Sequence, residues 1–333
     1  MEIYKDYLNL IKDAVKKDSS SQFESKHFFS KADRINDLIT LNSRYSDYHI
    51  APSLSKLAGT LHKDLDFNQK LGLHPSFKQL KSNGKTEEHY IVSVFIDIKG
   101  STNLFKRFDK ETIHVIVEAI LKAGIHTALI FNGYVHRLQG DGMFLYFGGK
   151  EINKKSAVNQ ALQMVSVYSY FIQNDLKEYF KSKGIEGIFV RSGIDLGKDE
   201  DVLWAKSGIG EISEVTTCSL HTSLASKMQS HAKSNGVVVG DFVVDEIEIE
   251  ELFNPVCKRT RNDNDRYIFQ IPEKQFRYTQ YDFDWEKFLK RQRFIALDRF
   301  GLPVLKFQDK NLEHKELLEP IARESKPYFS NEK

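Results

Sequence analysis

Residues 90–104 read YIVSVFIDIKGSTNL, and residues 133–149 read GYVHRLQGDGMFLYFGG. In the first stretch, a run of β-formers (Val92, Val94, Phe95, Ile96) leads to Asp97, and Gly100-Ser101-Thr102 turns the chain out of the strand. In the second, Gly140-Asp141-Gly142 is a tight turn between two short β runs, 134–138 and 143–147. Between them, residues 110–132 carry Ile113, Ile116, Val117, Ile120 and Leu121 at helical spacing, ending before Asn132-Gly133. Strand, helix and hairpin bring Asp97 and Asp141 together if the hairpin pairs beside the first strand. Two carboxylates meeting there repel each other unless a divalent cation lies between them, and hard oxygen ligands suit magnesium or manganese. A strand-end acid followed by a helix N-terminus also offers backbone N–H groups to phosphate. The pair predicts a metal-dependent nucleotide site. The competing reading makes Asp97 a helix cap and Asp141 an ordinary hairpin residue.

On the N-terminal side, residues 1 to about 85 read as mainly helical. Tyr4, Tyr7, Leu8, Ile11 and Val15 recur at helical spacing, and 31–41 repeats the character with Ile35, Leu38 and Ile39. A helical cap packed on the catalytic sheet is favoured over a regulatory or dimerising arm. On the C-terminal side, 155–183 predicts a second helix, stopped by Gly184. Residues 188–196 predict a β run containing Arg191, 222–231 a helix, and 237–244 a further β run. Residues 200–209 are a strand or a loop. The order β-α-β-β-α-β-α-β predicts an α+β fold with helices on one side of a sheet, of ferredoxin-like type.

Length and composition set the outer bounds. The 333 residues carry a formal charge of +2, so no strong basic field calls for nucleic acid. The short basic cluster at 258–261 and the aromatic stretch 276–288 are interrupted by acids, and read as elements packed on the core. No run of eighteen apolar residues predicts a membrane span, and the N-terminus has no signal-peptide pattern. Cys218 and Cys257 are too few for a disulfide framework and lack metal-ligand spacing. The expected location is cytoplasmic, with neither membrane nor nucleic acid as partner.

The two aspartate motifs resemble the class III nucleotidyl cyclases, the family of adenylate and guanylate cyclases. The first metal aspartate of that family lies in a phenylalanine-x-aspartate-isoleucine-x-glycine-serine/threonine turn, matched by Phe95 to Thr102, and the second in a glycine-aspartate hairpin, matched by Gly140-Asp141. Their separation is also that of the family. The resemblance spans 88–245, which divides the chain into an N-terminal helical extension (1–87), a cyclase catalytic domain (88–245) and a C-terminal extension packed on the core (246–333). It implies two divalent cations, Mg2+ or Mn2+, held by Asp97, Asp141 and the carbonyl of Ile98. It also implies phosphate contacts from Lys99, Gly100, Ser101 and Thr102.

In the family's adenylate cyclases a lysine four residues before the second metal aspartate helps to select adenine; here that residue is Arg137. The register of EVTTCSLHTSLASKM puts Thr216 at the second base-selecting position and Ser223 at the asparagine position. It puts Lys227 at the arginine that stabilises the transition state, and Ser219 where the family has glycine. Arg137 offers only donors in a planar fork, and its bulk shortens the pocket. That favours a one-ring base: the adjacent acceptors O2 and N3 of cytosine first, uracil second. With these departures the chain looks like the bacterial pyrimidine cyclases of the Pycsar anti-phage system. The resemblance implies conversion of CTP to 3′,5′-cyclic CMP and pyrophosphate. It further implies a head-to-tail homodimer whose metal residues come from one subunit and Arg137, Thr216, Ser223 and Lys227 from the other. A uridylate, adenylate or guanylate cyclase, and a catalytically inactive nucleotide-binding module, are the alternatives.

Overall fold

The computed structural model describes residues 1–23 (of 19–23 the backbone only), 50–185 and 187–306. The expected helical segment at 31–41 lies outside them. Helices α1 (Lys5–Phe23) and α2 (Pro52–Thr60) precede the first long strand, β1 (Ile91–Lys99). The alternation along β1 gives it two faces: Val92, Val94, Ile96 and Ile98 are buried in the main apolar core, while Ser93, Phe95 and Asp97 point the other way. Helix α3 (Lys110–Ile130) follows, capped by Asp109, whose carboxylate accepts the Thr112 N–H at 3.1 Å. Then come the hairpin β2 (Tyr134–Gln139) and β3 (Gly142–Phe147), and α4 (Lys154–Tyr170), capped by Asn153. Both helices bury their apolar faces on the core side of the sheet. By length and composition α3 would suit a membrane, yet 72% of its most apolar window is buried inside the protein, as befits a core helix.

Downstream lie β4 (Phe189–Gly197), the hairpin β5 (Val202–Ile209) and β6 (Ile212–Ser219), α5 (Leu220–His231) and β7 (Gly236–Gly240). These are followed by α6 (Asp241–Ile247), β8 (Phe253–Pro255), β9 (Tyr267–Ile271) and β10 (Phe276–Phe283). The main sheet has the order β9-β10-β7-β4-β1-β3-β2, with β8 also paired to β10. The α+β layout anticipated from the motifs is therefore present, with β1 at the heart of the sheet.

Four details differ from expectation. Helix α5 covers the face opposite α3 and α4, so the helices do not share one side. Gly193 of β4 makes this possible: a Cβ there would lie 2.1 Å from the Ala225 carbonyl oxygen and 2.3 Å from the Gln229 nitrogen. Residues 237–244 are not one strand, because β7 stops at Gly240 and α6 turns Val243 into the core; a continuous apolar run has no period to tell the two apart. The stretch 155–183 passes from α4 through a π-helical turn (Phe171–Leu176) into a last helix (Lys177–Ser182). Finally, α1 packs on α3 rather than on the sheet. The Tyr4 hydroxyl lies 2.6 Å from Thr127 Oγ1, Tyr7 bonds His126, and the Tyr4 ring stacks on Phe171.

The C-terminal strands extend the sheet and are tied to α5 by a buried carboxylate. Asp195 of β4 accepts the Tyr278 hydroxyl at 2.6 Å, and its other oxygen lies 2.9 Å from Nδ1 of His221 at the start of α5. Burial pushes the Asp195 carboxyl up from its ordinary value, and these hydrogen bonds oppose the shift.

Candidate nucleotide site

Strand β1 outruns its hairpin partner. It pairs with β3 only as far as Ile96 opposite Met143, while Asp97, Ile98 and Lys99 remain paired with Arg191, Val190 and Phe189 of β4. A Cβ on Gly142 would lie 3.0 Å from the Ile96 carbonyl oxygen and 3.9 Å from the Asp97 Cα. The residue next to Asp141 thus rests on the backbone of Asp97, and the two acids share one end of the sheet. Gly100 then reverses the chain with φ +95°, and a Cβ there would come within 2.9 Å of the Gly187 carbonyl oxygen. Ser101 opens a 3-10 helix (Ser101–Lys106), and its hydroxyl donates to Oδ2 of Asp141. Lys99 and Thr102 are exposed on either side of the turn.

Each acid is held by one oxygen and leaves the other open. Oδ2 of Asp97 accepts from Arg191 Nη2 at 2.6 Å and from Gln229 Nε2 at 3.3 Å. Oδ1 of Asp97 and Oδ1 of Asp141 accept no hydrogen bond among the described residues. No cluster of three or more His, Cys, Asp and Glu side chains suited to a metal occurs among the described residues. Two open carboxylate oxygens and the neighbouring Ile98 carbonyl are a hard, sparse donor set. It fits a magnesium-like ion that keeps substrate phosphate or water as its remaining ligands. Arg191 changes the electrostatics expected from the acids alone, because it supplies Asp97 with a positive partner from the protein itself.

Arg191 and Gln229 were not legible as site residues. Arg191 lies directly across from Asp97, but that pairing depends on strand register, which the sequence leaves open. Gln229 reaches Asp97 only because α5 sits backbone-close on Gly193. Ser219 caps α5 by accepting the His221 N–H at 3.2 Å, which places a capping hydroxyl at the family's glycine position. Ser223 and Lys227 are four apart on the exposed face of α5. The Ser223 hydroxyl donates back to the Ser219 carbonyl at 3.2 Å, and Lys227 has no ion-pair partner among the described residues. Neither touches Asp97 or Asp141 of its own chain.

The base-contact candidates assemble on β2 and β6. A bulge between Val135 and Arg137 leaves His136 out of the ladder and re-aims the residues after it. His136 is wholly buried, with Nε2 3.2 Å from Thr216 Oγ1. Burial, reinforced by the Arg137 charge, holds its pKa down at about 3. Arg137 donates from Nε to Glu214 Oε2 at 2.7 Å and from Nη2 to Glu214 Oε1. His136, Arg137 and Glu214 line a groove of about 470 Å3 whose apolar wall includes Leu71, Leu138 and Ile212. Arg137 and Thr216 are linked through Glu214 and His136 rather than by a contact of their own. Glu214 occupies one edge of the Arg137 guanidinium fork. Glu214 precedes Thr216 by two residues, hence shares its strand face, and that period was the available signal.

No protein-family model matches the chain. It is 37% identical over 226 residues to a cytidylate cyclase of Staphylococcus aureus, covering 67% of this chain and 53% of the relative. A cytidylate cyclase of Escherichia coli is 30% identical over 249 residues, covering 73% and 53% respectively. The chain spans about half the length of the curated relatives it matches. Among solved structures, the adenylyl cyclase CyaB from P. aeruginosa aligns at 17% identity with a TM-score of 0.49, covering 66% of this chain and 99% of that one. The chain is thus a homologue of the cytidylate cyclases, similar to them over two thirds or more of its own length.

Proposed function

We propose that the chain is a metal-dependent pyrimidine cyclase that converts CTP to 3′,5′-cyclic CMP and pyrophosphate, serving bacterial anti-phage defence. The observation that carries this reading is the meeting of Asp97 and Asp141 at one sheet end, each with an open carboxylate oxygen. The similarity to cytidylate cyclases supplies the base.

Two divalent cations, when bound, would acidify the ribose 3′-hydroxyl and neutralise the triphosphate. Asp97, Asp141 and the Ile98 carbonyl would hold them. Ser101 steadies Asp141 by its hydroxyl, and Arg191 with Gln229 steadies Asp97. The amides of Lys99, Gly100, Ser101 and Thr102 would meet phosphate oxygens where β1 turns. Lys227 would stabilise charge developing at the α-phosphorus, and Ser223 would bond the ribose or a phosphate oxygen. Both stand exposed and away from their own chain's acids, which supports a head-to-tail homodimer with sites completed across the interface. Arg137 and Thr216 would read the base.

Purified protein incubated with each of the four NTPs and manganese, with cyclic products identified by mass, tests the reading. Cyclic CMP is expected as the main product. Cyclic AMP formed faster than either cyclic pyrimidine refutes the base assignment, and nucleotide binding without pyrophosphate release refutes the enzyme.

A further inference from the structure

We propose that Glu214 is a specificity-determining positioning residue: it grips Arg137 by the Nε/Nη2 edge of the guanidinium and so presents the Nη1/Nη2 edge to the base. The proposal rests on the pyrimidine-cyclase reading and adds a residue to it. A guanidinium has two edges on which parallel N–H groups can grip a ligand, and a carboxylate matches one of them with both oxygens. Glu214 takes the edge that includes Nε, and Nη1 has no partner among the described residues. An arginine at the end of a strand would otherwise sample many rotamers. Holding it in advance removes that ordering cost from substrate binding.

The grip is itself built into the backbone. The Gly72 N–H donates to the His136 carbonyl at 2.9 Å, and the Gly72 carbonyl accepts the Val215 N–H at 2.7 Å. Residue 72 therefore staples the bulge of β2 to β6 beside Glu214. It has φ +66°, and a Cβ on it would lie 2.7 Å from the Glu214 Cβ, so glycine is what lets the glutamate pass. His136 completes the support. Its Nδ1 is buried without a partner, while Nε2 faces Thr216 Oγ1 at 3.2 Å and Glu214 Oε2 at 3.7 Å. An orphaned acceptor is tolerated better than an orphaned N–H, which puts the proton on Nε2. Thr216 then accepts from His136, and its hydroxyl is also hydrogen-bonded to the buried Tyr146.

The result is an edge of donors with a fixed direction. Cytosine meets it with two acceptors, O2 and N3. Uracil carries a hydrogen on N3, which would face the arginine donors head-on, so the same edge rejects uracil.

The test is a double-mutant cycle on the full chain, using Glu214→Ala, Arg137→Ala and the pair, with kcat and KM measured for CTP and UTP. Glu214→Ala should lower the CTP-to-UTP ratio of kcat/KM by about tenfold or more, mostly through KM for CTP, with metal-dependent turnover retained. In the Arg137→Ala background the second substitution should change the ratio little, and Glu214→Asp should keep part of the discrimination. Thermal unfolding of each variant checks the fold. An unchanged ratio in Glu214→Ala, or full additivity in the pair, overturns the assignment. Wild-type protein that turns over neither pyrimidine overturns the cyclase reading instead. The same variants are then compared by CTP and UTP affinity, where an unchanged ratio overturns the role of Glu214.

Discussion

The acid pair at the sheet end and the groove around Arg137 manage charge in opposite ways. At the acid end, Asp97 and Asp141 each spend one oxygen on the protein and keep the other open. At the base end, Arg137 and Glu214 satisfy each other, and His136 is buried and neutral beside them. One end keeps open oxygens for a cation, whereas the other has its donors aimed before any ligand arrives. Chemistry that depends on an exchangeable ion needs open ligands, while recognition of a flat base gains from donors already locked in place.

The sharpest way to break the comparison is to remove an open acid. Asp97→Ala or Asp141→Ala should lower cyclic product by roughly a thousandfold or more, since the loss of a charged ligand exceeds that of one preorganised hydrogen-bond donor. The two should differ in stability. Asp97→Ala leaves Arg191 without its carboxylate and should cost about 1 kcal/mol, against little for Asp141→Ala, as read by urea unfolding. Mixing Asp97→Ala protein with Lys227→Ala protein, after subunit exchange is verified, should restore part of the activity. No recovery would mean that one chain builds the whole site.

A smaller effect is expected at the base end. Arg137→Ala should reduce pyrimidine turnover at subsaturating substrate by roughly ten- to hundredfold and blunt base discrimination, the value of one charged contact felt in the transition state. A loss as deep as that of the aspartate variants would erase the distinction between the two ends.

The smallest effect is on folding and sets the base end against the N-terminal helix. Burial is the main cause that lowers the pKa of His136 and His74 to about 3 and of His126 to about 4. The unfolded chain takes up these protons near its ordinary histidine pKa of about 6.5, whereas the folded chain resists them. Stability is therefore fully present above that pH and falls as pH drops toward 4, by about tenfold in the folding equilibrium per pH unit for each histidine. His126→Gln should remove one proton from that slope between pH 6 and 4.5, measured by denaturant titration. A slope identical to wild type would show that Tyr7 and its helix do not report on this histidine.

What could be read in advance follows the range of the contact. Asp97, Gly100 and Asp141 lie in motifs a few residues long, where β-formers, a turn and a helical period state the local geometry outright. Helix α3 was expected to end before Asn132-Gly133 and does so, because apolar spacing and a polar turn act within one element. Arg191 and Glu214 depend on pairing across the sheet, and a slip of one residue in register would have sent either to the opposite face. Strand β6 escaped notice because much of it is exposed, Ile212 to 83%, so no buried alternation marks it. The bulge at His136 has no local signature at all; only the backbone of residue 72, far back in the chain, explains it.

Helix α5 rests on Gly193 with backbone against backbone. Nothing can grow at that seam, and Ala225, in contact with it, is similarly pinned. The opposite face of the same helix, bearing Leu220, Ser223 and Lys227, is exposed and supports no core packing. Mutational drift is thereby channelled: the fold penalises change on one side of the helix and ignores it on the other. A lineage can therefore try new side chains at Ser223 and Lys227, the proposed ribose and phosphate contacts, while the scaffold that holds the acids inherits none of the cost.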